Sequence, residues 1–419
     1  MATRTLGIGL VGTKFMGKAH SNAWMSAPKF FDLPLHVIMR AACGRDVAGV
    51  VEFAQRWGWQ CCTDDWQDLL DDPQVGLVDV CTPNHVHAEV SIAALEAGRH
   101  VACEKPLAGT LADARAMRDA AAKAAKRKVQ TFVWFNYRRC PAVALAHQLV
   151  KEGRLGRIFH VRAAYLQDWG GPDTPLLWRF QGKLAGSGAH GDLNAHMIDM
   201  ARFITGQEFK EVVGAIEETF ITERELVESS GGAISGKGAK VVRSAGASKR
   251  AAKAKGARGA AARRTRTGRS TVDDALLFLA RLSGGAIASF EATRLATGNQ
   301  NANQIEINGE KGSLKFNFER MNELEWWDHT LPARLRGWSR IMCTDGSHPY
   351  AGNYWPAAHV LGYEHGFVSQ AADIVSVIGG KKPVVAIPDF ADAYETQRVL
   401  EAAVRCARKR VPVALSEVK

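Results

Sequence analysis

The sequence predicts an α/β protein: an N-terminal Rossmann-type, doubly wound parallel sheet, then a C-terminal α/β domain with a large open, mostly antiparallel sheet. Three observations predict it. Strand-like and helix-like runs alternate over the first 140 residues, which builds a parallel sheet covered on both faces. Beyond Pro141 the strand-like runs lengthen and their apolar residues recur at period two, the mark of an antiparallel sheet with one buried face. The length of 419 residues also exceeds what one hydrophobic core usually organises.

In chain order, strands are expected over Thr5–Val11, His36–Cys43, Leu77–Thr82, His100–Cys103 and Val129–Phe135. Amphipathic helices are expected over Val47–Trp57, His87–Ala97 and Leu111–Lys126. A helix over Ala142–Glu152 opens the second half, so the domains are read as 1–140 and 141–419. Strands follow at Ile158–Leu166, Glu211–Phe220, Ala275–Leu282, Ala286–Ala292, Gln304–Asn308 and Ser313–Phe318. Ser283-Gly284-Gly285 and Asn308–Gly312 carry the glycines of hairpin connections. Helices near Tyr363–Ile378 and Phe390–Arg408 close the chain.

Composition narrows the class. Hydrophobic residues make up 46% and charged residues 23%, as in ordinary globular proteins. No apolar run reaches the length of about 18 residues that spans a bilayer. The start, MATRTLGIGLVG, lacks the apolar region and cleavage site of a secretory signal, so the expectation is a cytoplasmic protein with no membrane partner. The eight cysteines form no C-x-x-C pair, which argues for reduced core thiols and against a metal site or disulfide framework. The net charge is +11, and twelve Lys or Arg lie between Lys237 and Arg269 without one acidic residue. That stretch accounts for the whole excess. Residues 229–270, rich in Gly, Ala, Ser, Lys and Arg, are therefore read as a flexible basic insertion, and nucleic acid is not an expected partner.

Gly12-Thr13-Lys14-Phe15-Met16-Gly17 lies between the first strand and a helix, the setting of a dinucleotide-binding turn. Gly12 would make the tight turn and Gly17 the close helix–strand approach. Lys14 stands where a middle glycine is usual; its ammonium can pair with a phosphate. At the end of the second strand Gly44 occupies the place of a ribose-binding acid, and Arg45 follows. Arg45 can meet a 2′-phosphate, which tilts the expected NAD(P)(H) cofactor towards NADP.

Glu104-Lys105-Pro106 closes the strand His100–Cys103. Ligands of open α/β sheets bind at the carboxyl ends of strands, so Lys105 is expected to point into a crevice, with a cis Lys–Pro bond compatible with the turn. Asp192 and His196 lie four residues apart in a helical run and are expected to share one face. A carboxylate beside an imidazole orients it and favours its charged form, as a general acid/base requires. Asp199, on the same side, would hold that helix in place. His190, Asp192 and His196 match no familiar metal-ligand spacing.

The runs GLVGTKFMGKAHSNAW, TPNHVHAE, EKPLA, FNYRRCPA and GSGAHGDLNAHMID together resemble the Gfo/Idh/MocA oxidoreductases, over nearly the whole chain outside the basic stretch. EKP followed by D-x-x-x-H carries most of the specificity, and LQDW and LWRFQ look most like sugar dehydrogenases. The resemblance implies NAD(P)-dependent hydride transfer to or from a secondary hydroxyl of a sugar, anhydrosugar, glycoside or inositol. It implies that Lys105 orients the reacting hydroxyl, His196 is the acid/base, and Asp192 is its partner or a substrate ligand. Thr82, Pro83, Asn84 and His87, with Glu104 nearby, would line the cofactor; Asn136, Tyr137 and Arg138 would border the nicotinamide. Gln167, Trp169, Trp178 and Arg179 would face substrate. The open sheet would make a homodimer or homotetramer. Two other functions on this fold are a glycoside hydrolase or epimerase that retains its cofactor, and a non-catalytic nucleotide-binding sensor. Besides Lys14, the sequence departs from many relatives at Asn194, where a glycine is common.

Overall fold

The computed structural model describes residues 4–229, 240–241 and 266–419. Its first half is a parallel sheet of six strands: β1 (Thr5–Val11), β2 (His36–Cys43), β3 (Cys61–Thr63), β4 (Val75–Val80), β5 (His100–Cys103) and β6 (Thr131–Val133). Their order is β3-β2-β1-β4-β5-β6. The chain thus runs outward from β1 on one side and returns to build on the other, leaving a switch point between β1 and β4 where a crevice opens. After its first residue β1 is buried throughout, as a central strand covered by helices on both faces must be. The helices start where side chains meet their free N–H groups: Asp46 accepts from Gly49 N, Thr110 from Asp113 N and Asp389 from Asp392 N. The short edge strand β3 was not read from the sequence, because three residues carry no period.

The second half is built on nine strands. These are β7 (Ile158–Leu166), β8 (Phe209–Glu218), β13 (Ala275–Leu282), β14 (Ile287–Thr293), β15 (Ala302–Gly309), β16 (Gly312–Asn317), β17 (Glu323–Asp328), β18 (Trp338–Met342) and β19 (Val413–Ala414). The order is β18-β17-β16-β15-β7-β14-β13-β8-β19. Only β14 and β7 pair in parallel; the other neighbours are antiparallel. Burial alternates along β13 and β16, so one face packs inward. β17 and β18 were missed: Glu323–Asp328 buries only Leu324 and Trp326, too short a run to carry a period, and Trp338–Met342 is largely exposed.

Between β8 and β13 the chain forms two small ladders: β9 (Glu223–Glu225) with β12 (Thr267–Arg269), and β10 (Val227–Ser229) with β11 (Lys240–Val241). The expected flexible insertion is thereby corrected at its ends. Backbone ladders need no large apolar side chains, so composition hid them. The rest of that expectation lies outside the described residues.

The chain returns to its own beginning. The helix Tyr363–Ile378 packs on the helix Phe15–Phe30, and Phe390–Lys409 packs on Leu111–Ala125 and β8. Val133 N donates to Pro388 O at 2.8 Å, and Gln370 Nε2 donates to Val133 O at 2.7 Å. One continuous apolar core runs from Leu6 to Val418 beneath both sheets. A small second cluster, Leu176, Leu177, Phe180 and Val272, lies under Trp169 and Leu226.

Candidate active site

A cleft of about 470 Å³ follows the carboxyl ends of β1, β2, β4 and β5 and continues to the inner face of the large sheet. At β1 the turn is fixed by Gly12, whose φ is +112° and where a Cβ would come within 2.6 Å of Cys81 O. A Cβ on Gly17 would sit 2.1 Å from Gly12 O. Lys14, by contrast, has φ −85° and precedes the helix without capping it through its side chain. The loop needs no glycine there, and Thr13, Lys14, Phe15 and Met16 line the cleft at a helix N-terminus. Such a terminus, with its free N–H groups and positive dipole end, receives phosphate.

At the end of β2, Gly44, Arg45 and Asp46 line the cleft together with Asp64 and Trp66. After β4, Thr82, Pro83 and Asn84 do so. Thr82 Oγ1 is buried without a protein partner, and Asn84 Nδ2 donates to Ala185 O at 2.8 Å, tying the two halves together. His87 does not line the cleft. Its ring lies 3.0 Å from Thr82 O and 3.1 Å from Pro106 O, and burial lowers its pKa. His87 is thus a strut between two loops, a correction to its expected place against the cofactor.

Glu104 and Lys105 come next, joined to Pro106 by a cis peptide. Lys105 Nζ donates to Asp192 Oδ1 at 2.8 Å and to Asp192 O at 3.1 Å. Asp192 lies in a π-helical turn, His190–Asn194, that opens directly into the α-helix Ala195–Thr205. Asp273 builds this turn: its carboxylate accepts from Gly188 N at 2.6 Å and from His190 N at 2.7 Å. Asn194 donates to Leu276 O at 3.2 Å, anchoring the turn to the sheet. That contact gives the asparagine at a common glycine position a packing role.

Asp192 does not pair with His196, as its spacing had implied. Its second oxygen takes Arg294 Nη2 at 2.8 Å. The π turn adds a residue to the local repeat, so i and i+4 no longer stack as in an α-helix. Burial would raise the Asp192 pKa, but the charges of Lys105, Arg294 and Arg179 outweigh it and hold the carboxyl well below the usual range. His196 is 6% exposed. Burial first, then the Lys105 charge, push its pKa well below 6.5, with Asp192 opposing weakly. The imidazole is therefore held neutral, not charged as expected. Its Nδ1 has no protein partner, and its ring is flanked by Tyr137 and Tyr165 at centroid distances of 4.6 and 6.0 Å.

Asn136, Tyr137, Gln167, Trp178 and Arg179 line the same cleft. Tyr137 OH meets Tyr165 OH at 2.8 Å, and Tyr165 donates to Asn301 Oδ1 at 2.7 Å. Two expected residues lie elsewhere. Arg138 is buried in ion pairs with Asp199 and Asp392, because a guanidinium 5% exposed must find carboxylates. Asp199 thus holds its helix by gripping Arg138. Trp169 packs against Phe180 and donates Nε1 to Gln167 Oε1 at 2.6 Å, supporting Gln167 from behind. Sequence reading missed Arg294, Tyr165 and Tyr363 in the lining. Each belongs to a segment with no motif, and only sheet order and helix packing bring it here. A larger depression, about 790 Å³, crosses the outer face of the nine-stranded sheet, but none of the candidate site residues lines it.

Gly12, Gly17, the helix N-terminus and the unpaired Thr82 Oγ1 fit a dinucleotide whose reactive ring would reach Lys105 and His196. With the parallel sheet, such a cleft marks the class of dinucleotide-dependent oxidoreductases. Residues 6–132 match the oxidoreductase family with NAD-binding Rossmann fold, and residues 143–315 match the GFO/IDH/MocA C-terminal domain. The chain is 39% identical over 418 residues to levoglucosan dehydrogenase of Pseudarthrobacter phenanthrenivorans, covering 99% of each. Among solved structures it is similar to an oxidoreductase domain protein from Kribbella flavida, with 47% identity, TM-score 0.87 and coverage of 99% and 100%. It is also similar to levoglucosan dehydrogenase in complex with NADH and levoglucosan, with 38% identity, TM-score 0.85 and coverage of 99% and 100%. The chain belongs to the Gfo/Idh/MocA oxidoreductases, and its N-terminal half is an NAD-binding Rossmann fold.

Proposed function

We propose that the protein oxidises a secondary hydroxyl of a sugar, anhydrosugar, glycoside or inositol, and reduces the matching ketone. The observation that carries this reading is the meeting of Lys105, Asp192 and His196 in one cleft, with the amine and carboxylate 2.8 Å apart. A bound nicotinamide supplies the hydride acceptor in one direction and the donor in the other. His196, neutral as it stands, takes the proton of the substrate hydroxyl. Lys105 Nζ has three donors; two go to Asp192, and the third stabilises negative charge developing on the substrate oxygen. Gln167, Trp178 and Arg179 offer a flat indole and planar donors suited to a polyol ring. The relatives named for levoglucosan support an anhydrosugar as the first substrate to try.

The test is absorbance of reduced nicotinamide with free NAD+ or NADP+ across sugars, anhydrosugars, glycosides and inositols. Sustained multiple turnover with one of them is the expected result. A cofactor that survives purification and never exchanges would instead favour the glycoside hydrolase or epimerase.

We infer that NAD(H) is preferred to NADP(H), against the expectation raised by Arg45. Asp46 and Asp64 line the same end of the cleft as Arg45, and their charges oppose a 2′-phosphate. NADPH binding more tightly than NADH would refute this.

We also infer that the cofactor is held by the 1–140 unit and substrate by the 141–419 unit, and that a second copy of the chain covers the outer face of the large sheet. Ile216, Leu277, Leu279 and Ile287 cluster there, with Ile216 68% exposed. Leu279→Glu should shift sedimentation towards the monomer. The eight free cysteines fit a reducing compartment, in keeping with the cytoplasm.

A further inference from the structure

Beneath the cleft lies a charged cluster that the hydride-transfer reading leaves unused. His20, on the helix Phe15–Phe30, has no exposed surface. Its Nδ1 lies 3.0 Å from Asp79 Oδ2, and its Nε2 lies 3.0 Å from Glu104 Oε1. Asp79, on β4, also accepts the indole N–H of Trp24 at 2.6 Å and of Trp134 at 2.8 Å. Glu104 Oε2 accepts Lys105 N at 3.2 Å. Indole and peptide nitrogens can only donate here, so both acids act as acceptors, as carboxylates do. With a carboxylate at 3.0 Å from each ring nitrogen, His20 is placed to donate from both, as an imidazolium; Cys81 Sγ also lies 3.0 Å from Nδ1. The direction of its pKa agrees: burial lowers it, but Asp79 and Cys81 raise it well above 6.5. The ring also lies 4.1 Å from the Trp134 ring, centroid to centroid, a contact that favours a cation.

A metal could be imagined here, since His20, Asp79 and Cys81 bring ligand atoms within 4.8 Å of one another. The hydrogen bonds argue against it. Both imidazole nitrogens face carboxylates, Asp79 already holds two indoles, and burial pushes the Cys81 thiol up to about 12. The cluster is a completed hydrogen-bonded unit.

Its position gives it a use. Glu104 lines the cleft immediately before Lys105, where the proposed hydride transfer would occur. We propose that His20 is a positioning residue that fixes Glu104 behind Lys105 and offsets the Glu104 charge, so that oxidised and reduced nicotinamide are held with comparable affinity. Oxidised nicotinamide carries a positive charge and reduced nicotinamide does not. An uncompensated carboxylate at Glu104 would bind the oxidised form too tightly, and an uncompensated imidazolium at His20 would repel it.

The inference rests on the proposed nicotinamide chemistry, and binding measurements separate the two. The dissociation constants of NAD+ and NADH are titrated without substrate, by protein and nicotinamide fluorescence. His20→Gln should lower the ratio Kd(NAD+)/Kd(NADH) by on the order of tenfold or more, since one unit charge within about 12 Å shifts an affinity at least tenfold at an effective dielectric near 20. Glu104→Gln should raise it, and the double variant should return near wild type. Wild-type protein that binds neither form would overturn the proposed function itself. Wild type that binds both, with single variants that move both constants in parallel or move the ratio in the same direction, overturns only the role of His20. If His20→Gln fails to fold, Glu104→Gln decides alone: an unchanged or lowered ratio refutes the proposal.

Discussion

At the scale of single residues the site is a problem in charge placement. Lys105, Arg294 and Arg179 act together on the one carboxylate of Asp192, and that carboxylate holds the amine in the cleft. Lys105→Ala should therefore reduce turnover by about 10²–10³-fold, the usual effect of losing one oxyanion donor, while the Kd for NADH stays within a few-fold. Steady-state rates and fluorescence titration check it, and a collapse of NADH binding in step with turnover would count against the assignment. His196 has its pKa depressed by burial and by Lys105. It is the deprotonated form that accepts a proton, so oxidation should be lost only as pH falls below 6.5, the ordinary histidine value, through the depressed one. A rate–pH profile of kcat/KM for oxidation measures this; an acid limb above 6.5 would show a different base. Lys105 and His196 could be found from short motifs. Their partners could not: Arg294 follows a strand with no distinguishing pattern, and the pairing of Asp192 with it defeats the simple i,i+4 reading.

At the scale of elements the decisive one is the π turn His190–Asn194. It puts Asp192 within reach of Lys105 and leaves His196 on the first turn of the following α-helix. The turn depends on Asp273, from just before β13, which holds the free N–H groups of Gly188 and His190 at its start. Asp273→Ala should destabilise the protein by about 3 kcal/mol, as expected for losing hydrogen bonds to a charged group in the interior. It should also lower kcat more than a remote variant of equal stability does. A urea midpoint and kcat together test it; an unchanged midpoint would show that the turn stands without Asp273. The glycines of Gly186-Ser187-Gly188 were legible as a break before a helix. That the break becomes a π turn was not, because it follows from a carboxylate some 80 residues away.

At the scale of the molecule, the C-terminal helices fasten the His196 helix to the Rossmann sheet. Arg138 leaves the end of the first half, grips Asp199 on the His196 helix and reaches Asp392 on the last long helix. Arg202 holds Asp392 from the other side at 2.9 Å. Removing the central cation strands the buried Asp199 carboxylate and leaves Asp392 to Arg202 alone. Arg138→Met should cost about 3–5 kcal/mol, the range for breaking a buried ion pair from one side. Thermal unfolding reads this directly, and a loss below about 1 kcal/mol would show the network to be peripheral. With Asp192 held by other residues, NADH affinity should change little in whatever fraction stays folded.

The sequence by itself determined the parallel sheet, the tight glycine turn after β1, and the Lys105 and His196 that line the cleft. These depend on local matters: apolar period, a glycine that bends the chain, and a lysine or histidine that no other residue type replaces. Gly12, Lys105 and His196 were readable for that reason. Only the tertiary structure decided who partners whom. It sent Asp192 to Lys105 and Arg294, turned Arg138 and His87 from cofactor contacts into buried struts, and set His20 between two carboxylates. A buried charge takes whichever opposite charge the packed elements bring within about 3 Å, and that distance is fixed by sheet order and helix packing across residues far apart in the chain.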